Sequence, residues 1–345
     1  MPSDTRTALT IHEVTAADEA AVEEAYQIRK ITRAYEIPDF PPVCRRQHYG
    51  YFERSWPGTK SRFFLARSGG RAVGFLEVNL PQLDNLDNVM VEIYVPPAER
   101  RRGVGRALFE HAVALTREIG RKRIMSDTVT PVDGGPERDP AGTEFAAAMG
   151  MSEALRDVRR RLVAGTVGDD ELDRLLADAY AKADGYSLVT WTDSAPDEYL
   201  DDIAILDGRL IQDAPMGDLK YEPMKVDADR IRAADEARAA WGSRQVNAAM
   251  RHDGSGHLVA WSGLHQQFSV HDHAWQGITI VHPAHRGHRL GTIVKIENYR
   301  QAQRVLPGLR NIDTWNAAVN DFMISINEAM GFRAVDGGIS WQMDV

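Results

Sequence analysis

The run Val95-Pro96-Pro97-Ala98-Glu99-Arg100-Arg101-Arg102-Gly103-Val104-Gly105-Arg106 brings together the two residue types that grip an anion. Glycines lack a Cβ, so their main-chain N–H groups can approach a ligand closely, and the arginines add charge. Val104, Ala107, Leu108, Ala112, Leu115 and Ile119 then recur at helical spacing, which predicts a helix starting close to Gly103. A helix N-terminus carries unpaired amides and the positive end of the helix dipole, so the natural guest of this bend is a pyrophosphate. Three adjacent arginines by themselves read as a solvated loop. The glycine placement, and a second copy of the bend, reverse that weighting.

The second copy lies at a constant offset. Val95–Thr128 aligns without a gap onto Val281–Thr314, 186 residues on, so that Val95, Pro97, Arg100, Gly105, Asp127 and Thr128 match Val281, Pro283, Arg286, Gly291, Asp313 and Thr314. Upstream, a Gly69-Gly70 hairpin signal is echoed by Asp253-Gly254 and Gly256; downstream, AAAMGM is echoed by NEAMGF. The chain therefore reads as a duplicated domain, 1–164 and 165–345, divided in the polar stretch after Val163. Leu172, Leu175, Leu176 and Ala179 predict a helix packed between the halves.

Each copy repeats one order of elements. In the first, ALTIHEV predicts a strand and AADEAAVEEAYQIRKI a helix, which the Pro-rich EIPDFPPV stops. A second helix, the hairpin, the alternating strand Val89–Val95, the helix after Gly103 and the strand KRIMSDTV follow. In the second, GYSLVTWT, DEYLDDIAILDGRLI, the hairpin, GITIV, RLGTIVKIENYRQAQRV and LRNIDTW repeat the series. The fold class is mixed α/β (α+β), with one twisted sheet flanked by helices per copy.

Composition agrees with two globular domains. The 345 residues are 43% hydrophobic and 26% charged, with ordinary Gly and Pro counts. No apolar run approaches a membrane span and the start is too polar for a signal peptide, so a cytoplasmic protein without a membrane partner is expected. The single cysteine, Cys44, excludes an internal disulfide and a thiolate zinc cage, and reads as a bystander. Residues 1–164 carry 24 basic and 23 acidic side chains, and 165–345 carry 17 and 27. The acidic second half argues against nucleic acid and for cationic small molecules or peptides as partners.

Gly103-x-Gly105 with Asp127 on the next strand superficially matches a dinucleotide fingerprint. Its third glycine position is Leu108, and a cationic loop separates the glycines from the strand. The bend instead resembles the signature of the GNAT superfamily of acetyl-CoA-dependent N-acyltransferases, V-x-P-x-x-(Q/R)-x-x-G-x-(G/A). The first copy supplies Val95, Pro97, Arg100, Gly103 and Gly105; the second supplies Val281, Pro283, Arg286 and Gly291, with Arg289 at the first glycine. Counting both copies, the resemblance covers nearly the whole chain and looks like the tandem members of the family. It implies a sheet splayed between the fourth and fifth strands of each copy.

By that resemblance, acetyl-CoA is the cofactor. Its pyrophosphate would lie on Arg100, Arg101, Arg102, Gly103, Val104, Gly105 and Arg106 in the first copy, with the arginines reaching the 3′-phosphate. The equivalent turn is Arg286, Gly287, His288, Arg289, Leu290, Gly291 and Thr292, where Arg289 either crowds the pyrophosphate or donates to it. Main-chain N–H groups near Val95 or Val281 would polarise the thioester. Asn316 or Asn320 could bond the cofactor arm, and the first copy has no matching asparagine. The family's usual proton donor, a tyrosine before the last Gly-Phe, is replaced by Ala146 and Asn327.

Acetyl transfer to an amine needs a neutral nucleophile and a proton acceptor. Glu92 is the candidate base, acting through a water, or else a surface residue of its strand; its counterpart is Ile278. Asp127 and Asp313 read as turn or cap residues. Asp39, Asp213, Asp218 and Glu222 are acids that could meet a cationic amine, or solvated loop residues. Phe40, Trp56, Tyr221 and Trp241 are candidate apolar wall or core. His282, His285 and His288, near His271-Asp272-His273, raise a zinc reading, but no carboxylate shell is evident, so no metal is expected. Two functions remain: an N-acyltransferase acting on a small-molecule or peptide amine, and a non-catalytic acyl-CoA-binding or regulatory protein.

Overall fold

Alternating side chains along one strand show how each sheet is sandwiched. In the computed structural model, which describes residues 9–345, Phe63 and Leu65 point into one apolar cluster and Phe64 and Ala66 into another. The elements are β1 (Leu9–Val14), α1 (Glu19–Glu36), α2 (Arg45–Glu53), β2 (Thr59–Ser68), β3 (Arg71–Pro81), β4 (Asn88–Tyr94), α3 (Val104–Glu118), β5 (Arg123–Thr130), α4 (Ala141–Ala148) and β6 (Ser152–Val163). They continue as α5 (Asp169–Tyr180), β7 (Tyr186–Thr192), α6 (Leu200–Gly208), α7 (Leu210–Asp213), α8 (Ala228–Ala240), β8 (Ser243–His252), β9 (Leu258–Gln267), β10 (His273–Val281), α9 (Leu290–Val305), β11 (Asn311–Ala317), α10 (Asp321–Ala329) and β12 (Arg333–Asp344).

Two compact units result. The first comprises the chain to Val129 with Arg138–Ala154 and Ile339–Val345; the second comprises Thr130–Glu137 and Leu155–Gly338. This spatial division departs from a linear cut at 164/165, because 130–137 and most of β6 belong to the second unit and the end of β12 to the first. The strand order of the first unit is β1-β2-β3-β4-β5 followed by the end of β12, and that of the second is the start of β12 followed by β6-β11-β10-β9-β8-β7. Both sheets are mixed: β4–β5 and β10–β11 are parallel pairs, while β1–β2, β2–β3 and β3–β4, like β7–β8, β8–β9 and β9–β10, are antiparallel. In the first unit, Val22, Ala25 and Ile28 of α1 cover one face, and Leu108, Ala112 and Leu115 of α3 the other.

Leu172, Leu176 and Ala179 of α5 join Ile293, Ile296 and Tyr299 of α9 in the core of the second unit. The apolar stripe of α5 is thus covered by α9 within the second unit. The helix expected over DEYLDDIAILDGRLI is broken into a short 3₁₀ turn, α6 and α7.

Asp313 on β11, fully buried, is the charge centre of the second unit. Arg161, its cross-strand partner, donates to both its oxygens at 2.6 and 2.9 Å, and Arg159 donates at 2.6 Å. The His273 imidazole lies 3.0 Å away. Arg159 also donates twice to Asp336, at 2.7 and 2.5 Å. Burial pushes the Asp313 carboxyl up, but the hydrogen bonds from Arg161 and His273 and their electrostatic attraction outweigh it and hold it well below the usual range. A carboxyl depressed by folding contributes stability above its unfolded value, about 3.9, and loses it as the pH falls. Asp313→Asn should therefore cost about 3–5 kcal/mol at pH 7, by leaving buried arginines unpaired, and should remove part of the acid sensitivity seen in wild-type melts.

Candidate functional site

In both units the parallel strands part early. β4 and β5 pair only at Asn88↔Arg123, Val89↔Ile124 and Met90↔Met125, yet β4 runs on to Tyr94 and β5 to Thr130. β10 and β11 pair only from His273↔Asn311 to Trp275↔Asp313, and then diverge. Unpaired strand amides therefore face an opening at the point where each chain turns into its helix.

The first turn leaves β4 through a 3₁₀ turn, Pro97–Glu99, and enters α3 from Gly103, which takes a left-handed φ of +86° and supplies no side-chain cap. The first main-chain bond back from the helix is Ala107 N–H to the Gly103 carbonyl, at 3.0 Å, so among the described residues the amides of Arg101 to Arg106 have no main-chain acceptor. Arg100 is a brace. Its guanidinium donates to the Val95 carbonyl at 3.1 Å, to Asp139 at 2.5 Å and to Glu36 at 2.7 Å. Glu99 accepts from Arg71 at 2.6 Å and from Arg102 at 3.2 Å, and the Arg71 hydrogen bond leads in holding its carboxyl low. Arg101 is exposed, and Arg106 approaches Glu110, at 3.9 Å. The cations nearest the helix mouth are thus Arg101, Arg102 and Arg106, with Arg100 spent on the scaffold.

The second turn keeps the backbone and trades the residues. Arg286 donates to the Val281 carbonyl at 3.3 Å and pairs with Asp213 at 2.9 Å, repeating the brace. Left-handed φ occurs at Arg101 (+61°) and Gly103 (+86°) in the first unit, and at the equivalent Gly287 (+89°) and Arg289 (+56°) in the second. Arginine and glycine have exchanged the two left-handed sites. A Cβ on Gly103 would meet nothing within 4 Å, so the counterpart Arg289 strains the backbone without filling the turn. His288 Nδ1 lies 3.1 Å from the Lys182 carbonyl, Leu290 is buried, and Gly291 has Val281 3.5 Å from its Cβ position. Thr292 donates its N–H to Arg289.

Glu92 sits across from Glu77 in the β3–β4 register, and two cations from α1 separate them. Arg29 lies 3.2 Å from Glu77 and 3.7 Å from Glu92, Arg33 lies 3.4 Å from Glu92, and the Tyr94 hydroxyl donates to Glu92. Burial raises both carboxyls, but Arg29 and Arg33 carry Glu92 below its ordinary value, whereas Glu77 stays above. A carboxylate in that company takes up a proton less readily than a free one.

Asp127 differs. It lies on β5 two residues beyond the last pair, solvent reaches it, and Ser340 donates to it at 2.6 Å. Crowding, and then the charge of Glu92, push its carboxyl above the usual range against the pull of Ser340 and Arg33. By sequence it reads as a turn or cap residue; the strand divergence that exposes it has no local signature. In the second unit the same place holds the buried Asp313.

Asn316 and Asn327 meet in the second unit: Asn327 Nδ2 donates to Asn316 Oδ1 at 2.5 Å, and Lys295 Nζ donates to Asn327 Oδ1. Lys295 is 1% exposed, lies 4.8 Å over the Phe332 ring, and is pushed down to about 7 by burial. Asn320 caps α10 by accepting from Met323 N–H at 3.2 Å, a structural job. Ala146 is buried in the first core.

The acids of the two loops are paired or exposed. Asp39 pairs with Arg138 at 2.7 Å, and Asp213 with Arg209 and Arg286; Asp218 and Glu222 are exposed. Phe40 and Trp56 belong to the first unit, Tyr221 and Trp241 to the second. His285 Nδ1 lies 2.9 Å from the Tyr186 hydroxyl, and its ring 5.0 Å from His252 and 5.9 Å from His282. Among the described residues no group of three His, Cys, Asp or Glu could hold a metal ion. Nor is any of their helices long and apolar enough to cross a membrane. Cys44 is buried at the start of α2.

Residues 25–134 match the model of the acetyltransferase (GNAT) family. A solved structure described as a tandem GNAT protein from the clavulanic acid biosynthesis pathway, without AcCoA, is 32% identical, covers 98% of each chain and superposes with a TM-score of 0.83. A GCN5-related N-acetyltransferase from Sphaerobacter thermophilus shares the fold at 12% identity, TM-score 0.65, covering 97% of this chain and 95% of that one. The glucosamine N-acetyltransferase region of a fungal multi-domain GH3 beta-N-acetylglucosaminidase does so at 13% identity, TM-score 0.67, covering 99% of this chain and 38% of that one. No curated protein matches.

Two outcomes test the geometry. A Cβ on Gly105 would approach the Phe145 ring to 3.2 Å, so Gly105→Val should displace the start of α3 and weaken acetyl-CoA binding by about tenfold or more in calorimetry, if the first unit is the binding site. Unchanged affinity would move the site to the second unit. Between pH 7 and about 10 the unfolded chain holds a proton that folded Lys295 does not, so raising the pH should stabilise the protein through this residue. Lys295→Met should raise the melting temperature near neutral pH and flatten that rise.

Proposed function

The chain belongs to the GNAT acetyltransferase family in its tandem form, and on that premise we propose that it transfers the acetyl group of acetyl-CoA to a primary amine of a small molecule or peptide. The observation that carries this reading is the pair of braced, left-handed turns, each delivering uncapped helix amides to diverging parallel strands. Those amides, with Arg101, Arg102 and Arg106, suit a diphosphate. Acetyl-CoA, a substrate here, supplies the thioester. The freed strand amides beyond Met90 suit a developing oxyanion.

In the first unit the proton acceptor is Asp127. A general base works best when its affinity for a proton approaches the working pH, and crowding moves Asp127 in that direction while Arg29 and Arg33 move Glu92 away from it. Glu92, with Glu77 and the arginines, holds the strand face on which the acceptor amine would lie. A cytoplasmic location and a cationic acceptor are part of this proposal, on the composition and the acidic second half.

Thiol release from acetyl-CoA over a panel of amines tests the reading against that of a non-catalytic acyl-CoA-binding protein, for which binding without release is the signature. For amines served by the first unit, Asp127→Asn should lower kcat by about a hundredfold or more with little change in acetyl-CoA affinity. An equal loss in Glu92→Gln, with Asp127→Asn fully active, would return the role to Glu92.

A further inference from the structure

The second unit has no carboxylate where the first has Glu92, and its Asp313 is locked among arginines. It has an imidazole instead. His265 lies on β9, across from Trp275 on β10, and its ring stacks on that indole with centroids 5.5 Å apart and planes at 18°. β10 carries a bulge between Gln276 and Ile278, and the exposed residue in the bulge is Gly277, two positions past the last β10–β11 pair. A Cβ at Gly277 would stand 3.7 Å from His265 Nδ1. The bulge is pinned: the buried Gln276 amide donates to the Gly263 carbonyl at 2.8 Å and to that of Ile278 at 2.7 Å. Side-chain-free, outward-turned backbone therefore sits beside an imidazole at the mouth of the diverging strands.

Neither nitrogen of His265 is engaged by another residue among those described, and neither is sealed from solvent. Gln276 is spent on the bulge, Gln245, the partner of His265 on β8, on Asp235 at 3.2 Å, and Arg238 of α8, whose charge bears on the ring, on Asp235 at 3.2 Å. Burial and then Arg238 hold the imidazole down to about 4, so at neutral pH it is uncharged and, though less basic than a free histidine, offers a proton acceptor about as basic as an ordinary carboxylate. An imidazole in a crevice with both nitrogens open to solvent and claimed by no other side chain is free to engage a ligand.

We propose that the second unit is a reaction centre of its own, in which His265 is the general base for acyl transfer to a primary amine; this rests on the acyltransferase reading above. The amine nitrogen forms a bond to the thioester carbon and the carbon–sulfur bond breaks. The nitrogen proton passes to His265, which releases it to solvent, and the departing thiolate takes one proton from solvent. No tyrosine donor is needed, consistent with the buried Asn327 at that position.

The test uses the full-length chain and acetyl-CoA, with thiol release followed over the amine panel in Asp127→Asn. Part of the panel should still turn over there, and adding His265→Ala should reduce that remainder by about a hundredfold or more, at unchanged acetyl-CoA affinity and melting temperature. Free imidazole should restore part of the loss, which a purely structural defect would not allow. His265→Gln serves if the alanine variant fails to fold. A remainder indifferent to His265, or no remainder in Asp127→Asn, overturns the second centre and leaves the enzyme reading standing. No release by the wild type with any amine overturns both.

Discussion

A helix that begins with its amides unspent needs something to hold its entrance open, and in both units that work falls to one arginine. Arg100 and Arg286 each reach back to a carbonyl at the end of the strand, at Val95 and Val281, and then pair with acids: Glu36 and Asp213 at helix ends, and Asp139 in a loop. The guanidinium suits this because its planar fork can serve a carbonyl and carboxylates at once without losing its charge. Once the bend is braced, the dipole, the uncapped amides and the parted strands all face one place.

The backbone of that bend is more durable than its residues. Two left-handed positions occur in each turn, and glycine and arginine have changed places between them, Arg101 with Gly287 and Gly103 with Arg289. A left-handed arginine costs roughly 1–2 kcal/mol relative to the right-handed form, a sum the brace and the helix packing can hold. What differs between the units is the lining of the opening. The first surrounds it with ionisable groups, Arg29, Arg33, Glu77, Glu92 and Asp127; the second has an apolar isoleucine, a neutral imidazole and linked amides. The same scaffold thus presents two electrostatic environments, one tuned by opposing charges and one by desolvation.

Much of this was legible in the residues. The repeat, the strand-to-helix bend, the mixed α/β class and most element positions follow from spacing and from the glycine and proline pattern. The errors have a common origin. Counting charges around the bend treated all four arginines alike, yet Arg100 is tied down by Glu36 and Asp139, acids that lie far from it in the chain. Leu172, Leu175, Leu176 and Ala179 correctly announced a helix, but a stripe does not say what will cover it, and α9 does. Asp127 and Asp313 look equivalent in the alignment. One is reached by solvent and bonded by Ser340, the other is sealed among Arg159, Arg161 and His273.

The sequence by itself determined where the chain turns and which faces are apolar, because those depend on φ preferences and periodicity within a few residues. It also determined the family, since the bend's glycines, prolines and arginine are contiguous. Only the tertiary structure decided which carboxyl gains or loses a proton and which polar group is left unengaged. It alone showed that segments 130–137 and 339–345 belong to the unit opposite their place in the chain. The reason is that a proton's affinity for a group depends on burial and on charges a few ångströms away in space, and those neighbours come from strands and helices scores of residues apart.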